Sequence, residues 1–384
     1  MQSHDVGRTE RVSEFRQRHS YSLQLLPHFT LFANSNGLSP FNQTVLDCHH
    51  CMRLASPILF PPSGDGSYGA GTVMLFNGVY KLSDEPEVLA VQGKNSLDHV
   101  IDNFTGQPPI VIWHNDWYYG SIRKMWKLRG YFKRANASGI IAAESTSCDG
   151  EEIWRRLFGL PGFPGIPYVY VNEHEFTVSS HEKIYDAVYS ARLRKIKRLR
   201  LARKVQSLFV LTYKGGLQEW DLHQYAPSLK HAKFNPTFCD PTQREEIFGQ
   251  SRVGLCLSKI EGCMFSSLEY MLSGLPIVST RSTGGRDQFY DDEFCLIVRA
   301  SASAVRDGVK EMIKRQIPGE TIRQKTLDRL DNHRQRYVAS ICEFVEQQTG
   351  MILDESSLYA KMTRPKDQFI RLKDFPQVAQ AKAA

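Results

Sequence analysis

Short apolar runs alternate with helix-like segments along most of the chain. The runs are four to seven residues long and are rich in β-branched and aromatic side chains, which is typical of strands buried on both faces of a parallel sheet. Predicted strands cover 28–33, 57–60, 72–76, 110–113, 140–143, 168–171, 184–189, 207–213, 236–239, 253–257, 276–279 and 294–298. Predicted helices between them include 44–54, 152–158, 197–205, 244–249 and 266–272. This alternation favours an α/β protein.

A change in composition divides the pattern into two halves near residues 172–182. The Pro/Gly-rich run 158–167 is predicted to be irregular, and the polar segment that follows precedes a fresh series of strands. A length of 384 residues also fits about two domains. We expect a flexible lead-in over 1–26, one α/β domain over 27–175, a second over 176–335, and a helix returning to the first domain with a polar tail over 336–384.

The most specific motif of the chain lies at 253–285. An apolar strand is followed by a Glu-Gly turn, a helix, a Gly-x-Pro stop, a second strand and Thr-Gly-Gly. Glu261 and Glu269 are eight residues apart, so they share a face if the helix begins near Glu261. The free amides at the start of the helix form an anion site at the carboxyl edge of a parallel sheet. We therefore expect a phosphate and a ribose to bind here, with a surface helix carrying two solvated glutamates as the alternative.

This segment resembles the signature of family-4 retaining glycosyltransferases of the GT-B fold, over 184–345 well and over 28–172 loosely. The resemblance implies two Rossmann-like α/β/α domains facing across a cleft. It implies that Glu261 lies by the transferred sugar and that Glu269 holds the nucleotide ribose. It also assigns donor-binding positions to Gly262, Cys263, Met264, Phe265 and Ser266, and backbone contacts with the base to Phe238 and Cys239. Cys263 and Met264 replace the Phe and Gly that are usual in the family, which leaves the donor sugar open.

Two cations at the end of the strand 184–189 form a second motif. Arg192 and Lys197 match a Gly-Arg-x4-Lys element whose cations neutralise the donor diphosphate in the family, with Ala191 in place of the Gly. A leaving diphosphate needs such neutralisation, and the sequence has no Asp-x-Asp element of the kind that holds a metal. We therefore expect catalysis without a metal ion or other cofactor. The other cations of 194–204 are predicted to lie on a solvated helix face.

Two further site residues are implied in the first half of the chain. The strand 110–113 runs into His114, and the family often has a His at this place, near the transferred sugar and the acceptor. A hydrogen-bonded structural histidine is the alternative. Gly37 lies in a turn after the first predicted strand, where GT-B enzymes have a glycine loop near the acceptor and the donor phosphates.

The net charge of +7 is concentrated in two segments. Six Lys/Arg lie within 123–134 and eight within 192–204, with no acid in either, while the other 34 cations face 41 acids. In 117–136 the cations are interleaved with six aromatic residues, which predicts an amphipathic helix on an anionic membrane surface. A solvated helix with its aromatics in the core is the alternative. No nucleic-acid module is recognisable, so no nucleic-acid partner is expected.

Other patterns are excluded by their context. The Gly-x-Gly-x-x-Gly match at 64–69 lacks a preceding strand and a following helix, and Cys48 and Cys51 lack a second ligand pair. No apolar stretch approaches 18 residues, and the charged N-terminus lacks a signal-peptide core. We expect a cytoplasmic protein, peripheral on the inner face of the cytoplasmic membrane, with reduced cysteines.

The resemblance and the motifs together imply an enzyme that transfers a sugar from a nucleotide-diphosphate donor, UDP- or GDP-sugar, to a glycan or lipid-linked acceptor. Retention of the anomeric configuration and a role in polysaccharide or glycoconjugate biosynthesis come from the family alone. Two rivals stay open: a GT-B-shaped epimerase or phosphorylase, and a non-catalytic sugar-nucleotide-binding subunit.

Overall fold

The structure is a computed structural model that describes residues 78–115, 118, 120–212, 226–235, 239 and 241–375. Gly37, Phe238 and the strands predicted before residue 77 lie outside these ranges. The strands are β1 (Gly78–Ser83), β2 (Val88–Gln92), β3 (Ile110–His114), β4 (Ile141–Thr146), β5 (Gly162–Pro164), β6 (Ala187–Ser190), β7 (Leu208–Leu211), β8 (Lys233–Phe234), β9 (Gly254–Cys256), β10 (Ile277–Thr280), β11 (Cys295–Val298) and β12 (Phe369–Arg371).

The helices lie between and after these strands. They are α1 (Gly93–Asn103), α2 (Ile122–Ala137), α3 (Asp149–Leu157), α4 (Pro241–Gly249), α5 (Phe265–Leu272), α6 (Ala302–Arg315), α7 (Gly319–Thr349) and α8 (Glu355–Thr363). Short 3-10 turns cover Pro167–Tyr170, Lys195–Lys197, Leu199–Ala202 and Arg286–Phe289. Strand and helix alternate, as the hydrophobic pattern predicts for an α/β protein.

The first sheet has the strand order β12-β1-β2-β3-β4-β5. Strands β2 to β5 are parallel, and β1 pairs antiparallel with both of its neighbours. One face packs on α1 and α2 through a core that includes Trp113, Met125 and Leu128. The other face packs on α7 and α8, with Tyr337 and Leu358 in the core. The sheet is therefore covered on both sides.

The second sheet is parallel throughout, in the order β11-β10-β9-β6-β7-β8. Counted along the chain this is the 3-2-1-4-5-6 order of the Rossmann fold. The chain reverses direction across the sheet between β6 and β9, which lie side by side. In open α/β sheets ligands bind at the carboxyl ends of the strands at such a switch point. The sheet order thus places a crevice after Ser190 and Cys256.

Helix α7 is shared by both cores. Ile322 and Leu330 near its start pack with the second sheet, whereas Ile341 and Val345 pack with the first. Between them the buried Arg334 forms an ion pair with Glu173 at 2.7 Å. The helix therefore connects the two α/β halves through packed side chains.

Three sequence predictions about elements are wrong. The buried run 168–171 lies in and directly after the Pro167–Tyr170 turn, because its aromatics are covered by α5 and α7. The run 158–167 contains the edge strand β5, where a proline is tolerated. The helix predicted over 197–205 is two 3-10 turns, which are divided at Arg198 with φ +50°. The strand predicted over 236–239 falls on residues of which the structure describes only Cys239, so it stays a prediction.

Candidate active site

The loop after β9 is held in place by the loop after β10. The backbone N–H of Glu261 donates to the Thr283 carbonyl at 2.9 Å, and that of Gly285 donates to the Gly262 carbonyl at 3.0 Å. Gly284 has φ +117°, and a Cβ there would lie 1.8 Å from the Glu261 carbonyl oxygen. Only glycine fits this position, since both the conformation and the contact exclude a side chain. The two loops form one unit that presents Glu261.

Glu261 lies before α5 rather than on it. The helix begins at Phe265, so the expectation that Glu261 and Glu269 share a helix face is wrong. The pairing of loops just described holds the chain out of helical conformation through Glu261. Each glutamate is buried and has its own cationic partner.

Lys197 forms an ion pair with Glu261. The exposed fractions of the two side chains are 14% and 6%, so the pair is shielded from water and counter-ions. The Tyr189 hydroxyl, on β6, donates to the Lys197 carbonyl and fixes the turn that carries the lysine. The tertiary structure therefore joins two of the predicted site residues, which are 64 positions apart. Arg192, at the end of β6, is half-buried.

Arg198 and Arg286 hold the carbonyls at the ends of β9 and β10. Arg198 donates to the carbonyls of Leu257 at 2.6 Å and Ser258 at 2.8 Å. The fully buried Arg286 donates to the carbonyls of Cys256 and Ser258, both at 3.1 Å. The expectation that Arg198 lies on a solvated face is therefore wrong, because the left-handed turn at this residue directs its guanidinium to the sheet edge. The cations at 194, 195, 200, 203 and 204 are exposed as expected.

Glu269 is paired with a residue that the sequence analysis missed. Arg244 on α4 lies 3.2 Å from the Glu269 carboxylate, and its guanidinium lies 5.5 Å from the centre of the Phe176 ring. A cation near the start of a helix opposes the helix dipole. This unfavourable placement is the sequence signal that could have marked Arg244 as functional.

The start of α5 is anchored by a tyrosine from the first half of the chain. The Tyr168 hydroxyl accepts from the Met264 N–H at 2.7 Å and lies 3.2 Å from Ser267 Oγ. The N–H groups of Phe265 and Ser266 have no recorded acceptor among the described residues. These two amides are the groups that the start of α5 offers to an anion. Tyr168 was missed because its segment was predicted to be a strand.

The remaining donor-side predictions fall in the same region or outside the described ranges. Gly262 and Met264 are buried, and Cys263 is half-buried. Burial raises the pKa of the Cys263 thiol well above its usual range. Cys239, half-buried, packs against the core of the second half.

His114 lies in the core of the first half. It is fully buried, and its Nε2 is 2.6 Å from the Tyr337 hydroxyl on α7. Burial lowers its pKa to about 3, so the ring is neutral at physiological pH. Strand register places it between Gln92 and Ser145 at the carboxyl edge of the first sheet. The hydrogen bond and burial fit the alternative of a structural histidine.

The same sheet edge carries a buried acid. Asn115 Nδ2 donates to Glu144 Oε1 at 2.6 Å. Burial raises the pKa of Glu144 to about 8, although the hydrogen bond from Asn115 opposes the shift. Two residues after Ser145, the Ser147 carbonyl accepts from Gln288 Nε2 of the second half. This edge of the first sheet therefore meets the loop after β10 that holds Glu261.

Within the described ranges, no group of three or more His, Cys, Asp or Glu side chains is placed to hold a metal ion. None of the helices there combines the length and the apolar character needed to cross a membrane.

No protein-family model matches the chain, and no curated protein matches its sequence. Among solved structures, TarM of S. aureus is similar with a TM-score of 0.52 at 11% identity, over 68% of this chain and 55% of TarM. A glycosyltransferase from Rickettsia africae gives 0.48 at 10% identity over 88% of both chains. Sucrose-phosphate synthase from Thermosynechococcus elongatus gives 0.47 at 14% identity over 66% of this chain and 74% of that one.

The fold assignment depends on TarM, of which this chain spans about half the length (55%). The strand order of the second sheet and the second α/β half fit the same architecture. The chain has the GT-B fold, with two Rossmann-like α/β halves, as the resemblance to group 1 glycosyltransferases implies.

Proposed function

We propose that this protein is a glycosyltransferase that moves a sugar from a nucleotide-diphosphate donor to a glycan or glycolipid acceptor, with retention and without a metal ion. The observation that carries the proposal is the buried Lys197–Glu261 ion pair directly before α5, the helix on which Glu269 is paired with Arg244. Two buried carboxylates, each with a cation, and an anion-binding helix terminus suit a sugar, a ribose and a diphosphate. Synthesis of a polysaccharide or glycoconjugate is the proposed context.

The donor would be held by charge and by hydroxyl contacts. Arg192, Lys197 and the amides of Phe265 and Ser266 neutralise the leaving diphosphate, a contribution often worth several kcal/mol in the transition state. Lys197 neutralises Glu261 in an ion pair. When the diphosphate takes over Lys197, the Glu261 carboxylate is released to accept hydrogen bonds from the sugar hydroxyls.

The ribose and acceptor sides involve other residues. Glu269, oriented by Arg244, accepts hydrogen bonds from the ribose. Placement of His114 near the anomeric carbon and the acceptor would require that movement of the two halves uncover its ring, which is fully buried against Tyr337. The departing phosphate oxygen would take the acceptor proton. Closure of the two halves over the donor would exclude water and limit hydrolysis.

A donor screen tests this proposal. Thermal shift with UDP-, GDP-, ADP- and CMP-sugars is expected to select a UDP- or GDP-sugar, and the Glu269→Gln variant is expected to bind that donor more weakly because it loses the ribose contact. An assay of free nucleotide then separates a transferase from an epimerase. A transferase is expected to release free nucleotide only when acceptor is present. Donor binding without transfer to any acceptor in a panel would favour a non-catalytic subunit instead.

An exposed apolar patch next to basic side chains supports peripheral contact with an anionic membrane. The α2–α3 patch consists of Ile122, Trp126, Ile153 and Leu157, which are between 58% and 71% exposed. The Trp126 and Phe158 rings, 5.6 Å apart, connect the two helices. The exposed cations of α2 are Arg123, Lys127, Arg129, Lys133 and Arg134. We propose that this patch rests on the inner face of the cytoplasmic membrane in a cytoplasmic protein.

Vesicle sedimentation tests the membrane proposal. We expect binding to vesicles that contain phosphatidylglycerol, little binding to pure phosphatidylcholine, and weaker binding of Trp126→Ser. Ile352→Ser is the matched control, because Ile352 is also exposed but follows α7. Equal binding of wild type and Trp126→Ser would refute the role of the patch.

The division of the chain also remains a proposal, with domains over 27–175 and 176–335 and a returning segment over 336–384. Limited proteolysis is expected to cut between residues 172 and 182 before it cuts either sheet. Earlier cuts within one sheet would refute that boundary.

A further inference from the structure

A cavity of about 700 Å³ lies beside the middle of α7, outside the residues assigned to the donor. Five of its lining residues are on α7 and one is on the 3-10 turn after β10: Arg329, Asn332, His333, Gln335, Arg336 and Gln288. Every lining side chain can hydrogen-bond, and none is a carboxylate. We call this space the α7 cavity. Its volume lies within the range of small-molecule sites.

The charge of the α7 cavity is carried mainly by one arginine. Arg329 forms an ion pair with Asp291 at 2.7 Å and donates to the Tyr290 carbonyl at 2.8 Å. Arg336 is exposed and donates to the Asn332 carbonyl at 3.2 Å. No carboxylate of the described ranges is recorded within ion-pair distance of Arg336. Among the described residues, its positive charge at the wall of the cavity therefore has no acidic partner.

His333 responds to the same positive field. Its ring stacks on Phe289, with centroids 4.5 Å apart and planes 24° apart. Burial, followed by the nearby charges of Arg336 and Arg329, lowers the pKa of His333 to about 4. The ring is neutral near pH 7, so it offers a hydrogen bond without a second charge. Burial disfavours a charge of either sign, whereas the part of the shift that comes from the two arginines favours an anion.

The lining from the second sheet connects the α7 cavity to the Glu261 loop. Gln288 lies on the turn Arg286–Phe289, directly after Gly284 and Gly285. Its side chain also donates to the Ser147 carbonyl of the first half. A ligand in the cavity would thus contact α7 and the junction between the halves together.

We propose that the α7 cavity binds the phosphate group of an organic phosphate. The guanidinium of Arg336 suits a phosphate oxygen in fork geometry, with His333 and Gln288 placed for the remaining oxygens. The carboxamides of Asn332 and Gln335 suit hydroxyl groups on the organic part. This site is separate from the donor diphosphate site and does not depend on the transfer reaction.

Binding of glycerol 3-phosphate tests this site directly. We expect it to raise the melting temperature of wild type, while glycerol has no effect and glycerate has a smaller one. Arg336→Ala is expected to weaken the binding of glycerol 3-phosphate by about tenfold or more, since charge-assisted hydrogen bonds are stronger than hydrogen bonds between neutral groups. The exposed Arg299 directly after β11 supplies the matched control, Arg299→Ala, which should bind like wild type.

A second arm separates the α7 cavity from the donor site. Lys197→Ala should retain glycerol 3-phosphate binding. When glycerol 3-phosphate binds, NMR of the imidazoles should show a raised pKa for His333. The His333 signal is the one that disappears in the His333→Gln variant. Equal binding by wild type and Arg336→Ala, loss of binding in Lys197→Ala alone, tighter binding of glycerate, or no stabilisation of wild type would each overturn the proposal. Failure of sugar transfer would not affect any of these readouts.

Discussion

Replacing Glu144 by Gln should make the free energy of unfolding depend less on pH. The Glu144 side chain is fully buried on β4, and Asn115 donates to one of its oxygens at 2.6 Å. The other oxygen has no hydrogen-bond partner in the part of the chain that the structure describes. A Gln side chain has nearly the same shape and keeps an acceptor for Asn115, so it mimics the protonated carboxyl at every pH.

The sign follows from the two pKa values. Burial raises the pKa of Glu144 to about 8 in the folded chain, against 4.5 for an ordinary glutamate. The stability linked to Glu144 is therefore fully present below about pH 4.5 and is lost as the pH rises towards 8. At about 1.4 kcal/mol per pKa unit, wild type should lose roughly 3 to 4 kcal/mol relative to Glu144→Gln between pH 5 and pH 8.

Urea unfolding of both proteins at pH 5, 6, 7 and 8 measures this difference. Circular dichroism and tryptophan fluorescence should report the same transition if it is two-state. Glu346→Gln, which removes an exposed carboxylate on α7, is the control and should change little with pH. Parallel pH profiles for wild type and Glu144→Gln would show that Glu144 is ionised in the folded chain and would refute the reasoning.

Three other results are expected. Arg192→Ala and Lys197→Ala should each lower turnover by about 10²–10³-fold with unchanged circular dichroism. The exposed control Lys195→Ala should keep the turnover of wild type. Near-wild-type kinetics of Arg192→Ala and Lys197→Ala would contradict the diphosphate assignment. Activity should survive EDTA, and a strict need for Mn²⁺ or Mg²⁺ would contradict metal-free transfer. Gly284→Ala should displace the Glu261 loop, since its Cβ would lie 1.8 Å from a carbonyl oxygen, and should weaken donor binding in thermal shift; unchanged binding would show that the loop adapts.

The buried strands of the second sheet could be predicted closely from sequence. Continuous apolar runs at 253–257, 276–279 and 294–298 correspond to β9, β10 and β11 within two residues at each end. Strands β9 and β10 are buried at every position, so each position is under the same requirement for apolar side chains, whereas the edge strand β11 is only partly buried. The run at 168–171 is apolar for another reason. It is a 3-10 turn with a flanking valine, and α5 and α7 bury it.

The candidate site could be predicted in its composition but not in its pairing. The spacing of Glu261 and Glu269, read with the family resemblance, singled out both glutamates. Their partners Lys197 and Arg244 lie 64 and 25 positions away in sequence, and no local pattern encodes which cation reaches which acid. Arg198 was likewise placed on the solvent side, because a helix was assumed where the chain turns left-handed.

The sequence by itself determined the α/β class, strands β6, β7, β9, β10 and β11 of the second sheet and the identity of the acids and cations near the switch point. These follow from hydrophobic periodicity and from short motifs, which act over a few residues. Only the tertiary structure decided that Tyr168 anchors α5, that Gly284 makes room for the Glu261 carbonyl, and that His114 is enclosed beside Tyr337. Those contacts join segments more than 20 positions apart, and their geometry is set by how the two sheets and α7 pack.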